Sequence, residues 1–382
     1  MSKFIILFLL VYGSMHLYTF WRTRAAFNLA LYRALSLSLF LSFMMASPLL
    51  TRLLERSGFG DGTAALMAWI AFTWMGLLFL FICSSLVVDM YRFLILSLSF
   101  VTDGRLASFK LSPPAGFYLP FAVTLIVALY GTFEARNVVI ERFEIKSEKI
   151  PKDLGKLRIV QISDLHIGLL LKDGRVSEIV KIIKEMNPHI LVSTGDFVDG
   201  KTRELDKLAE VFQQVKPKFG KYAVPGNHEY YAGIDYSLKL TRDAGFVVLR
   251  GAGASVSGVI NIAGVDDIAG RSFDGYREVD ERALLSGLPG DKFTLFLKHR
   301  SHIGEGSDKL FDLQLSGHTH RGQIFPFTYV VGYFFPHLEG LEDLPGGGKI
   351  YTSRGTGTWG PQMRVLSPPE VTVIDLVYGE RK

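Results

Sequence analysis

The chain has 382 residues, enough for two domains of ordinary size, and 48% of them are hydrophobic. Its formal net charge of +5 is easily reached by a membrane protein with basic loops, so it does not indicate nucleic-acid binding and we expect no nucleic-acid partner. The single cysteine, Cys83, excludes a disulfide within the chain and leaves the redox compartment open.

Apolar residues are concentrated in the first 133 residues, in runs close to the ~20 residues that an α-helix needs to cross the hydrocarbon layer. They predict a transmembrane domain, residues 1–133, of four helices at about 4–21, 29–50, 64–88 and 117–133. A shorter run at 93–101 is predicted to lie at the interface or to extend the third helix. The first run could instead be a signal peptide, but the small residues of a cleavage site do not follow it.

Four spans would place both chain ends on one side of the membrane. Lysines and arginines flank the spans on both sides, and their distribution favours a cytoplasmic catalytic domain by a small margin. The sequence therefore predicts a multi-pass protein of the cell membrane, with the bilayer as its first partner and the side of the catalytic domain left open.

The pattern changes after residue 133. A linker with an edge strand, 134–156, leads into residues 157–382, where short β-rich runs alternate with amphipathic helices. The predicted strands are 138–145, 157–163, 190–194, 222–224, 246–249, 259–263, 293–297, 313–315, 349–352 and 371–376, and the predicted helices are 176–186 and 204–215. This alternation predicts an α/β domain in which helices cover the sheets.

Polar residues follow five of these strands. The motifs are Asp164-Leu165-His166, Gly195-Asp196, Gly226-Asn227-His228-Glu229, Lys298-His299 and Gly317-His318-Thr319-His320. Sites in α/β sheets gather beyond the carboxyl ends of strands, and Asp, His and Asn are ligands of divalent metals. In an extended stretch, residues i and i+2 point the same way, so Asp164 should converge with His166 and His318 with His320. Each motif alone also fits an ordinary cap or turn, whereas the ordered set of five predicts a metal site.

This ordered series resembles the calcineurin-like metallophosphoesterases, and the resemblance extends from about Leu157 to Leu376. The stretches 162–168, 317–323 and 353–361 resemble those of the membrane-anchored bacterial branch of that superfamily. The resemblance implies an αββα sandwich, two sheets with helices outside. It also implies a hydrolase of phosphoric ester or pyrophosphate bonds, in which a hydroxide held between two metals attacks phosphorus.

The resemblance assigns roles to individual residues. It implies that one metal is held by Asp164, His166, Asp196 and His320, and the other by Asp196, Asn227, His299 and His318. Such nitrogen and oxygen ligands suit Mn²⁺, Fe²⁺ or Zn²⁺ without choosing among them. His228 would be the catalytic acid, oriented by Glu229. The chain departs from the family pattern because no proline soon follows His299 and because Arg321 replaces a common glycine. We expect Arg321 to bind the substrate phosphate.

The substrate is less constrained by the sequence. The insertion 325–341 is rich in aromatic residues, which either pack under a long loop or form an apolar lip that meets acyl chains or the bilayer. The first hypothesis is a lipid-linked phosphodiester or pyrophosphate, with a soluble nucleotide or a phosphoprotein as the alternative. A non-catalytic membrane receptor is the other class, but it should have lost ligands and none is lost. The oligomeric state is left open.

Overall fold

The structure, a computed structural model, describes residues 2–57, 60–171, 173–200 and 205–380. Contacts within the chain divide it into two compact units. The helical unit contains residues 1–133 together with 360–365, and the sheet unit contains residues 134–359 together with 366–382.

The helical unit is built from long apolar helices. They are α1 (Ser2–Phe27), α2 (Leu31–Ser57), α3 (Asp61–Val101) and α4 (Pro113–Glu134). Among the described residues, three segments are long and apolar enough to cross a membrane: Leu31–Glu55 in α2, and the whole of α3 and α4. The predicted membrane domain is thus helical throughout its four apolar runs. That α1 also crosses the membrane, which would make four spans, stays a prediction.

Helix α3 is longer than a bilayer requires. The short apolar run at 93–101 extends it to 41 residues, or about 60 Å at 1.5 Å per residue, roughly twice the ~30 Å hydrocarbon layer. Within this helix Asp89 forms an ion pair with Arg22 of α1, and the Tyr18 hydroxyl donates to the same carboxylate. A charge pair inside an apolar helix bundle is stabilised because each member neutralises the other.

The segment 360–365 completes the helical unit from far along the chain. Met363 lies against Gly76 of α3, and the backbone N–H of Arg364 donates to the Gly131 carbonyl of α4 at 2.9 Å. A Cβ atom at Gly131 would approach the Arg364 carbonyl oxygen to 2.9 Å, closer than real Cβ atoms come. The glycine at this position therefore leaves room for the segment 360–365 beside the helix.

The sheet unit contains two six-stranded sheets. In spatial order, the first is β1 (Val139–Lys146), β12 (Glu370–Val377), β2 (Lys156–Ile162), β3 (Ile190–Ser193), β4 (Lys221–Ala223) and β5 (Val247–Val248). The second is β10 (Gly340–Asp343), β11 (Lys349–Thr352), β9 (Leu313–Ser316), β8 (Phe293–Leu297), β7 (Ile260–Gly264) and β6 (Ala252–Val256). The helices are α5 (Asp173–Glu185), α6 (Leu205–Phe212), α7 (Asn227–Ala232), α8 (Ile234–Asp243), α9 (Glu281–Ser286) and α10 (Phe327–Phe334).

Both faces of the central strands are buried. In β2, Ile159 packs into the core between the two sheets, whereas its neighbour Val160 packs into the core under the helices beside the first sheet. Consecutive strand residues point to opposite faces, so two buried neighbours require a cover on each side. On the outer face of the second sheet, Phe296 packs with Leu285 of α9. These layers confirm the predicted αββα sandwich in a chain that begins with apolar helices.

Strand direction fixes where the loops meet. Strands β2, β3 and β4 are parallel in the first sheet, and β7, β8, β9 and β11 are parallel in the second. The sequence did not predict β6 or β10, the antiparallel edge strands of the second sheet. Neither carries an alternation of buried and exposed residues, because an edge strand has fewer neighbours to pack against.

Candidate functional site

Each of the predicted ligand residues lies just beyond the carboxyl end of a parallel strand. Those strands are β2, β3 and β4 of the first sheet and β8 and β9 of the second. The residues they deliver are Asp164, His166, Asp196, Asn227, His299, His318 and His320. All of them are buried except His318, which is partly buried. The structure therefore brings the whole predicted ligand set to one place within the sheet unit.

One group of side chains surrounds the end of β2. The Nε2 atom of His320 lies 3.4 Å from Oδ1 of Asp164 and 3.1 Å from Nε2 of His166. The same His166 nitrogen lies 3.9 Å from Oδ2 of Asp196. Asp164, His166 and His320 thus form a compact group of potential metal ligands.

A second group contains Asp196, together with His299 and His318. The Nε2 atom of His299 lies 3.2 Å from Oδ2 of Asp196 and 3.2 Å from Oδ1 of Asn227. The Nδ1 atom of His318 lies 3.1 Å from the same His299 nitrogen. One oxygen of Asp196 therefore lies near both groups, 3.2 Å from His299 and 3.9 Å from His166, and the bridging role that the resemblance implies for it stays a prediction.

The chemistry of this donor set fits divalent cations. Nδ1 of His299 donates to the Thr194 carbonyl at 2.8 Å, so in the neutral ring its Nε2 presents a lone pair to the oxygens of Asp196 and Asn227. Burial lowers the pKa of His299, but the charge of Asp196 outweighs it and raises the pKa to about 10, so a positive charge is favoured beside these oxygens. A divalent cation bound there would supply that charge in place of the proton. Burial raises the pKa of the Asp164 carboxyl, and a bound cation would favour its ionised form. The buried residues thus satisfy the requirements of a metal centre.

Backbone strain is concentrated at the same residues. Asp164, His166, Asp196, His318 and His320 all have φ between 45° and 70°, a region that residues other than glycine rarely adopt. The expectation that Asp-x-His and His-x-His converge because they are extended is therefore wrong. Asp164 and His166 meet in one group through left-handed backbone, whereas His318 and His320 belong to different groups. Strain of this kind persists where the surrounding structure holds it, and it clusters at functional sites.

Two glycines make the close approach of these loops possible. A Cβ atom at Gly226 would overlap the Asp196 carboxylate, and one at Gly317 would overlap the side chains of Ser163 and Asp164. Both positions thus need glycine because a neighbouring ligand occupies the space of a side chain.

His228 is oriented by a residue that the sequence analysis did not select. Its Nδ1 atom forms a short hydrogen bond with the carboxylate of Asp199, and its backbone N–H donates to Oδ1 of Asp196 at 2.8 Å. Burial alone would lower the pKa of His228, but the charges of Asp199 and Asp196 outweigh it and raise the pKa to about 9. Burial likewise acts to raise the pKa of Asp199, and the neighbouring His228 nevertheless holds it well below its usual range. The signal available in the sequence was a second acid three residues after Asp196.

The predicted orienting role of Glu229 is corrected by its contacts. Its carboxylate accepts hydrogen bonds from the backbone N–H groups of Asp196 and Val198 at 3.0 Å and of Gly226 at 2.6 Å. Burial raises the pKa of Glu229, and the backbone donors oppose that rise. Glu229 thus ties the loops after β3 and β4 together, which explains why an acid follows His228 without touching its ring.

Arg321 contacts protein groups. Its Nε atom lies 2.6 Å from a carboxylate oxygen of Glu339, and its Nη1 donates to the Leu366 carbonyl at 2.7 Å. Substrate binding by Arg321 stays a prediction, and it would have to coexist with these two contacts.

The aromatic insertion forms helix α10 and its flanks. Phe335 packs its ring 5.0 Å from that of the ligand His318, so the end of the insertion borders the metal ligands. The side chains of Tyr329, Tyr333 and Phe334 are 73%, 82% and 63% exposed, which leaves a surface of large aromatic groups uncovered.

Comparisons with known proteins identify the family of the chain. Residues 157–322 match the family model described as Calcineurin-like phosphoesterase. An uncharacterized metallophosphoesterase of Aquifex aeolicus is 39% identical, over 66% of this chain and 97% of that relative. A transmembrane protein with metallophosphoesterase domain from Danio rerio is 32% identical, over 68% of this chain and 62% of its own length. Among solved structures, the NAD nucleotidase of Haemophilus influenzae is 16% identical with a TM-score of 0.38, over 54% of this chain and 46% of that one.

The contacts of Glu229 generate a test. In Glu229→Gln the amide offers one acceptor oxygen, and its NH₂ group faces a backbone N–H, so at least one buried donor loses its partner at about 1–3 kcal/mol. We expect a lower melting temperature and weaker metal binding, measured by differential scanning fluorimetry and metal analysis. Glu210→Gln, at an exposed position of α6, is the matched control. Unchanged stability and metal content with a large loss of kcat would instead support the orienting role first predicted.

Proposed function

Because the chain belongs to the calcineurin-like metallophosphoesterases, which hydrolyse phosphoester bonds with divalent metals, we propose that it is a membrane-anchored phosphohydrolase with two metal ions. Its reaction would be the cleavage of a phosphodiester or pyrophosphate bond in a lipid-linked substrate. The observation that carries this proposal is the pair of buried ligand groups near the Asp196 carboxylate, which belongs to one group and lies 3.9 Å from His166 of the other.

The residues of the site would have separate roles in such a reaction. Asp164, His166, Asp196 and His320 would hold one ion and Asp196, Asn227, His299 and His318 the other. Bound divalent ions polarise phosphoryl oxygens and lower the pKa of water. The fixed backbone of the strained loops keeps the ligands in place as the phosphate enters. His228, with Nδ1 held by Asp199, presents Nε2 as the donor for the leaving oxygen.

A lipid-linked substrate is favoured by two independent features. The chain carries three helices that are long and apolar enough to cross a bilayer, and such helices would keep the attached phosphoesterase domain at a membrane. The exposed aromatic side chains of α10 lie on the same insertion as Phe335, which contacts a metal ligand. Acyl chains that remain near the membrane would find an apolar surface there, whereas a soluble nucleotide or phosphoprotein would not need it. A cytoplasmic location of the domain stays a prediction from the loop charges.

The shared position of Asp196 predicts the behaviour of its amide variant. Asp196→Asn should lower metal content at both positions, because the amide is neutral and presents one acceptor oxygen where two groups meet. Elemental analysis of purified protein should find two equivalents of metal in the wild type and less than one in the variant. Asp291→Asn, an exposed change of the same kind, is the control. Two full equivalents in Asp196→Asn would contradict the bridging assignment.

The position of His228 predicts a defect in turnover with the metals retained. His228→Ala should reduce kcat for a phosphodiester with alkyl leaving groups by about 10²–10⁴-fold, the usual contribution of a positioned acid–base group. Asp199→Asn should reduce kcat by a smaller factor, since the ring remains but loses its anchor. Both defects should shrink for better leaving groups, which need less protonation. Wild-type turnover in His228→Ala would make this histidine merely structural.

The exposed face of α10 predicts chain-length selectivity. Hexadecyl and methyl esters of p-nitrophenyl phosphate share a leaving group and differ only in the alkyl chain, each buried CH₂ of which is worth about 0.8 kcal/mol. We expect a lower KM for the hexadecyl ester and loss of most of that preference in Tyr333→Ser/Phe334→Ser. Tyr378→Ser, another exposed aromatic position, is the control. A wild type with no chain preference would favour the soluble-substrate alternative.

A further inference from the structure

Two half-exposed aromatic side chains contact the ring of His228. The ring centroid of Tyr231 lies 5.2 Å from that of His228, and the centroid of Trp359 lies 6.1 Å from it. Both rings are steeply inclined to the imidazole, at 64° and 75°, so neither stacks flat upon it. Each side chain is 51% exposed, which leaves a large part of its apolar surface available beside the catalytic histidine.

The position of Trp359 is fixed by buried groups. Its backbone N–H donates to the side-chain oxygen of Gln323 at 2.9 Å, and the Gln323 amide donates back to the Trp359 carbonyl at 2.8 Å. Gln323 is buried and closes the turn that begins with the ligand His320. Two residues earlier, the N–H of Gly357 donates to the Asp164 carbonyl at 3.0 Å. The loops that carry the predicted metal ligands therefore also fix the backbone from which the indole extends toward His228.

Tyr231 is held from another direction. It lies on α7, the helix that begins with the ligand Asn227, and its ring packs 5.7 Å from that of Phe273. Two separate elements thus deliver an aromatic group to the same histidine. A rigid aromatic surface that stays half uncovered is the usual form of a binding site for a flat or apolar group.

We propose that Trp359 and Tyr231 form a subsite for the leaving group, and that this subsite takes a leaving group carrying a planar ring, such as a nucleoside base. The proposal rests on the proposed function, because the leaving oxygen must face His228. The other substituent of the phosphate would then extend toward Phe335 and α10, which border His318 instead. The two sides of the metal site would therefore bind chemically different halves of one substrate.

Adenosine 5′-monophosphate and ribose 5-phosphate test this subsite, since they share a phosphate and a sugar and differ only in the base. Each inhibits the full-length, Mn²⁺-loaded protein against bis-p-nitrophenyl phosphate, and the ratio of their inhibition constants is measured. Base stacking on one aromatic group is worth roughly tenfold in affinity. We expect the nucleotide to bind about tenfold more tightly to the wild type and this ratio to fall toward one in Trp359→Ala and Tyr231→Leu. Trp359→Phe should keep most of it, as should the control Tyr378→Ala.

Fluorescence gives a readout that needs no turnover. The chain has four tryptophans, and the other three lie in the helical unit, so the difference between wild type and Trp359→Phe isolates Trp359. The nucleotide should quench this difference signal and ribose 5-phosphate should not. Quenching in a protein that fails to hydrolyse the diester would reject the proposed function and leave the subsite standing. Equal inhibition by both ligands in the wild type, or equal weakening of both in Trp359→Ala, would overturn the subsite.

Discussion

The carboxylate of Asp196 is the constraint on which the site depends. One oxygen lies near His299 and His166, the other accepts the backbone N–H of His228, and the residue's own N–H donates to Glu229. A single side chain thus lies near both ligand groups and accepts a hydrogen bond at the start of the helix that carries His228. Any displacement of this carboxylate would move two ligand sets and the acid together, so the surrounding loops must be rigid.

The sheets provide that rigidity, and it holds the backbone of the ligand residues in a strained conformation. Five ligand residues occupy left-handed conformations, which raise the free energy of the chain by about 1–3 kcal/mol each unless neighbouring contacts hold them. The parallel strands bring the loops after β2 and β3 side by side. There the backbone N–H of Asp164 donates to the Gly195 carbonyl, and the backbone N–H of His166 donates to the Asp196 carbonyl. The strain is therefore sustained by burial and by the hydrogen bonds that these loops make with each other.

Much of this arrangement could be predicted from the sequence, because strand ends and ligand types are local properties. The apolar runs that form β2, β3, β8 and β9 each end two or three residues before a predicted ligand, so the strand pattern and the motif pattern locate the same loops. The partner of His228 could not be read in the same way, since Asp199 and Glu229 are both nearby acids and only three-dimensional contacts distinguish them. The sequence also did not predict the left-handed conformation of the ligand residues or the edge strands β6 and β10, because tertiary contacts rather than local propensity determine them.

The return of residues 360–365 to the helical unit has a consequence for how the protein can be divided. An anchor that precedes a hydrolase in the chain would ordinarily be removable by one cut near residue 133. Here such a cut would leave a fragment that still contains Met363 and the fully buried Arg364, without the helices against which that segment packs. The two units are therefore interleaved in sequence. The helices cover residues 360–365 as well as preceding the sheet unit in the chain. Their excision would expose the apolar Met363 and the charged Arg364, a few residues from Trp359.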